Sequence, residues 1–204
     1  MKFRLFPKER NGLKILSEMA GQLVSGVQLL SEMFGTSRSG YVPLAEQIHG
    51  HETHSTNLLY SLLTHIRSSF ISPLPREDIY ALSRVLHEAM GKLDAAAELL
   101  VIYRIDRIPR RATEQLEVIG RQAELTVTAM RALDDLDGLE DYWLEMIRLS
   151  QRAEHTHRKY LAELLDPKPN SYLKHRELAL QLVETTRDFR RLATQVGGII
   201  VKES

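Results

Sequence analysis

The chain has 204 residues, 43% apolar and 26% charged, the balance of a soluble globular protein long enough to bury a core. Lys+Arg and Asp+Glu both number 27, so the net charge is zero and no chain-wide basic footprint for nucleic acid exists. The absence of cysteine excludes disulfides, thiolate metal sites and a cysteine nucleophile, and no apolar run approaches the ~20 residues of a membrane span. The opening Met1-Lys2-Phe3-Arg4-Leu5-Phe6-Pro7 has too few apolar residues before its proline for a secretory signal, so a cytoplasmic protein is expected.

Prolines at 7, 43, 73, 75, 109, 167 and 169 read as boundaries, because one inside a helix costs about 3 kcal/mol. Helix one is predicted from about Glu9 to Phe34, stopped by Gly35. Pro43 begins helix two, which reaches Phe70. Ser72-Pro73-Leu74-Pro75 breaks the chain before helix three, roughly Arg76 to Arg104. Pro109 opens helix four, which ends near Asp134, and Asp137 caps helix five. Asp166-Pro167-Lys168-Pro169-Asn170 is the last linker, and Ser171 caps helix six. The expected fold is all-α, a single domain of six long helices about 40 Å each. A weak repeat at an offset of 103 aligns Thr53-His54 with Thr156-His157 and Leu13 with Leu116. It also aligns Ile79, Leu86 and Leu93 with Leu182, Phe189 and Val196. Two pseudo-repeated three-helix units, about 8–106 and 107–204, would then form one elongated bundle.

Placed on helical wheels, Glu52 and Ser55 fall inside the apolar stripe of helix two, Ile48, Leu59, Leu62, Ile66 and Phe70. His51 falls at its edge, whereas Glu46, His49 and His54 point away. Helix five has the stripe Leu139, Trp143, Met146, Ile147, Leu161 and Leu164, interrupted by Ser150, Glu154 and His157. Buried carboxylates need a cation, so Glu52 and Glu154 mark either structural ion pairs or a metal site. Helix three carries His87, Glu88, Asp94 and Glu98 along one flank. Two Glu-x-x-His pairs, Glu46/His49 and Glu154/His157, raise a ferritin-like di-iron enzyme as the alternative, although only the second points inward. No nucleophile elbow, phosphate loop or dinucleotide fingerprint is present.

The phrase Phe70-Ile71-Ser72-Pro73-Leu74-Pro75-Arg76-Glu77-Asp78-Ile79-Tyr80-Ala81-Leu82 closely resembles the one joining the second and third helices of PhoU-like proteins of the Pit-accessory type. The opening Phe3-Arg4-Leu5-Phe6-Pro7-Lys8 and the ending Gly198-Ile199-Ile200-Val201-Lys202 are similar to that family's ends. The resemblance implies a non-enzymatic regulator or accessory of inorganic phosphate transport. Its implied partner is a Pit-type phosphate permease, which would bring this cytoplasmic chain to the periphery of the inner membrane. A homo-oligomer is also expected.

Relatives bind metal through a Glu followed four residues later by Asp, with further acids on the facing helix. Here Glu52 is followed by Thr56, and helix three offers His87-Glu88 with Gly91 in place of an acid. In the second half the corresponding places hold Ser150, Glu154, Arg187 and Arg191. The motifs are thus degenerate. No cofactor is required; a divalent transition metal would suit a first-half set of His51, Glu52, His87, Glu88 and Asp94, with Glu154 and His157 as the alternative set. Two basic clusters, Arg187/Arg190/Arg191 and Arg107/Arg110/Arg111, offer either solvated surface or contacts to anionic lipid or an acidic loop.

Overall fold

The computed structural model describes residues 10–68, 72–136, 138–165 and 169–203. Its elements are α1 Asn11–Gly35, a 3-10 turn Arg38–Gly40, α2 Tyr41–Ser68, α3 Arg76–Ile102, α4 Arg110–Arg131, α5 Leu139–Leu164 and α6 Pro169–Glu203. No strand forms among the described residues. The predicted Glu9 start, the 3–8 opening, Phe70-Ile71, the Asp137 cap and the 166–168 linker lie outside the described residues. Pro43 does not begin α2 but sits in its first turn, where no intrahelical N–H is needed. Ser171 likewise lies inside α6 rather than capping it.

α1 buries Leu13, Leu16, Met19, Leu23, Leu30 and Met33 at helical spacing, and α3 answers with Leu82, Leu86, Met90, Leu93 and Leu100. Gly26 lets these two helices approach, since a Cβ there would lie 2.8 Å from the Met90 methyl. α2 covers α1 and α3, and α5 covers α4 and α6. The two three-helix units meet through α1 against α4 and α3 against α6. Leu13 and Leu116, Leu86 and Phe189, and Leu93 and Val196 are buried in both units, whereas exposed Thr53-His54 aligns with buried Thr156-His157. Lys202 bonds buried Asp78 at 2.7 Å and Arg10 bonds Asp134 at 2.7 Å, closing one end of the bundle. Asp78, in the first turn of α3, thus joins the α3 dipole to the end of α6.

α3 stops two residues before the expected Arg104. The Arg104 N–H donates to the Val101 carbonyl (3.3 Å) and the Ile105 N–H to that of Leu100 (3.2 Å), while Ile105 is buried. This is a Schellman ending, and its left-handed position (φ 51°) holds Arg104 instead of the usual glycine.

The interiors of the halves differ. Around α1–α3 the core is Leu, Met and Ile, with Ser55 and Ser83 as buried hydroxyls. Around α4–α6 it includes fully buried Gln115, Gln122, Thr126 and Thr185. Gln122 donates to Ser150 at 3.2 Å and Thr126 meets the Tyr142 hydroxyl at 3.3 Å. This polarity corrects the expected stripe of α5. Its buried face is Tyr142, Met146, Leu149, Ser150, Ala153, His157 and Tyr160, so that Trp143 stands exposed at the rim and packs over Gly197.

Candidate functional site

α2 and α3 pack side by side, and their shared outer edge carries the strongest cluster of ligating groups. His49 and Glu52, three residues apart, stand on one flank of α2. Asp94 faces them from α3, its Oδ2 3.1 Å from His49 Nδ1. One ligand atom from each of the three lies within 4.8 Å of the others. The hydrogen bond to Asp94 holds the His49 pKa above the ordinary imidazole value, and the charges of Asp94, Glu52 and Glu98 add to it. A cleft of about 400 Å³ opens beside this trio, lined by Val42, Glu46, Glu98 and Val101. Thr56, four residues after Glu52, donates to Glu52 Oε1 at 3.1 Å. An imidazole and two carboxylates converging at this range fit one divalent transition-metal ion, with His49 deprotonated on binding.

Of the first-half residues singled out in the sequence, Glu52 and Asp94 thus come together. His51 turns to the other flank of α2, where its Nδ1 lies 2.7 Å from Gln22 Oε1. Burial and the neighbouring His54 lower its pKa. His87 is half-buried with no partner for Nδ1 among the described residues. Glu88 bonds Arg84 at 2.8 Å and also Arg191. His49, which completes the trio, is the residue that the wheel argument set aside as pointing away from the core. Its spacing to Glu52 was the available signal.

The second-half candidate Glu154 is taken up by a cation. Arg187 donates to both oxygens of Glu154, at 2.8 and 3.4 Å, and also to Glu184. Asp188, 1% exposed, meets Lys92 at 2.6 Å and Arg191, which reaches on to Glu88. One ion-pair network therefore ties α3, α5 and α6 together. Arg187 holds the Glu154 carboxyl below its usual range, whereas burial lowers the His157 pKa. A guanidinium where oxygen ligands would stand leaves no donor set for a metal, so these residues do not fit one. Glu154 takes the structural-pair role. Glu46 and His49 are both exposed, so the two Glu-x-x-His pairs do not face a common di-iron centre.

No family model matches the sequence. The UPF0111 protein YkaA of Bacillus subtilis (strain 168) is 20% identical over 165 residues, spanning 78% of this chain and 80% of that protein. The crystal structure of a PhoU-like protein from Shewanella oneidensis MR-1 matches with a TM-score of 0.76 at 16% identity, covering 93% of this chain and 99% of that one. The fold is PhoU-like. Within this PhoU-like bundle the phrase 72–82 lies at the α2–α3 junction, as its resemblance implied. The His49/Glu52/Asp94 trio sits on the first unit; at the offset of 103 its positions fall on Arg152, His155 and Gly197, and the arginine network lies elsewhere, joining α3 to α5 and α6.

Proposed function

We propose that this chain is a non-enzymatic regulator of inorganic phosphate transport that acts on a Pit-type permease from the cytoplasmic side of the inner membrane. The PhoU-like fold, extending over nearly the whole of both chains, carries the reading. The phrase at 72–82 supports the Pit-accessory branch of it. Among the described residues no helix is long and apolar enough to cross a membrane, so such action would be peripheral. In this reading the His49/Glu52/Asp94 trio would hold a single divalent transition metal that stiffens the α2–α3 edge, and the second unit would work without one.

The test is uptake of radiolabelled phosphate by cells lacking the protein and by the same cells complemented with it. A change in initial uptake rate that complementation reverses is expected, provided the permease is present. Identical rates in both strains, with the permease expressed, would contradict the proposal.

A further inference from the structure

The end of the bundle formed by the α3–α4 connection, the end of α5 and the start of α6 has an unusual surface. A cleft of about 910 Å³ opens there, with Arg104, Arg107, Arg110 and Lys174 among its lining. Its two acids are already engaged from outside the cleft: Asp106 by Arg38 at 2.8 Å and Glu163 by Arg111 at 2.8 Å. Arg110 is paired with Glu114, whereas Arg104, Arg107 and Lys174 have no acidic partner among the described residues. This end therefore concentrates unpaired positive charge in a chain whose net charge is zero.

The same end also carries exposed aliphatic side chains. Ile102, Leu165 and Leu173 are 60, 75 and 67% exposed. Each lies within two residues of the cleft lining, from three different helix ends. Exposed aliphatic side chains at the same helix ends as these cations suit a surface that is anionic outside and hydrocarbon beneath.

Arg104 provides an independent argument. Its left-handed backbone is disfavoured for any side chain but glycine, and glycine would satisfy the same Schellman ending. An arginine at such a position, with no acidic partner among the described residues, points to a use for its charge outside the protein.

We propose that this end docks on the surface of an anionic lipid bilayer, with Arg104, Arg107 and Lys174 meeting phosphate headgroups and Ile102, Leu165 and Leu173 entering the interfacial layer. The proposal goes beyond the permease reading, because it requires only lipid.

The test is sedimentation with protein-free vesicles of phosphatidylcholine containing about one third phosphatidylglycerol, against vesicles of phosphatidylcholine alone. Binding to the anionic vesicles, weakened by salt, is expected. Three cations at such a surface act together, so Arg104→Gln/Lys174→Gln/Arg107→Gln should weaken binding about a hundredfold. Lys14→Gln/Arg152→Gln/Arg190→Gln, which removes equal charge elsewhere, should leave at least most of it. Ile102→Ser/Leu173→Ser should weaken binding in low salt too. Arg104→Gly should weaken it while raising the unfolding temperature, a combination that a purely structural arginine would not produce. Equal sedimentation with both vesicles, or equal losses in the two charge variants, would overturn the proposal. Full displacement by millimolar inorganic phosphate at constant ionic strength would overturn it in favour of a soluble-phosphate site. Since no permease is present, failure here leaves the uptake experiment to decide the transport reading separately.

Discussion

Asp188→Ala probes the arginine network at its most buried point. Asp188 is 1% exposed and holds Lys92 and Arg191, which are 26% and 47% exposed. Removing one partner of a buried pair costs about 3–5 kcal/mol, whereas a solvated pair contributes ~0–1 kcal/mol. Here the orphaned cations keep Glu184 and Glu88 and are partly hydrated, which reduces the loss to about 2 kcal/mol. For a chain of this length that corresponds to a fall of about 4–8 °C in Tm. Thermal unfolding followed by circular dichroism measures it, with Lys92→Met and the double variant completing a cycle. A coupling of roughly 1 kcal/mol is expected between the two sites, and most of it should survive in high salt because Asp188 is shielded. A fall below about 1 °C, or strictly additive losses, would show that the network behaves as ordinary surface charge and would refute the reasoning.

Three other outcomes follow from the same structure. The Glu154 pKa is depressed by Arg187, so its stabilising contribution is complete above the ordinary carboxylate range and is lost as pH falls through the lower folded value. Wild type and Glu154→Gln should therefore differ at neutral pH and converge in acid; an unchanged gap at about pH 2 would contradict this. Metal binding at His49/Glu52/Asp94 must displace the His49 proton, which Asp94 stabilises, so titration calorimetry with manganese or zinc should give tighter binding at pH 8 than at pH 6. Asp94→Asn should abolish that binding and Glu154→Ala should not, and the reverse pattern would move the site. Gln115 is fully buried with neither amide atom partnered among the described residues, so Gln115→Leu should raise the stability by about 1–2 kcal/mol in urea unfolding, and a loss would mean the amide is needed.

Six helices and most of their limits were legible because prolines and glycine interrupt an otherwise continuous helical period. Leu86 with Phe189 and Leu93 with Val196 show that the repeat also tracked buried positions. The failures have physical causes. A 3-10 turn supplies the first bend into α2, which a search for a proline start could not anticipate. The α5 face was rotated because apolarity marks the core only where the core is apolar, and around Ser150, Gln122 and Thr126 it is not. Arg187 could be read from sequence as hostile to a cation, and the structure shows it bonded to Glu154. His49 was missed for the opposite reason: a wheel ranks residues by burial, whereas this trio lies along a solvent edge between two helices. Asp94 was legible as a candidate ligand, but its pairing with His49 depends on the register of α3 against α2, which the sequence does not carry.

The most direct measurement for the account as a whole is affinity capture of the tagged protein from native membranes after mild crosslinking, in cells grown on inorganic phosphate. An inorganic phosphate permease should be recovered at levels well above those seen with an unrelated tagged helical bundle, and deletion of that permease should abolish the change in uptake. Recovery of no phosphate transporter from membranes in which the permease is demonstrably present would contradict the central claim.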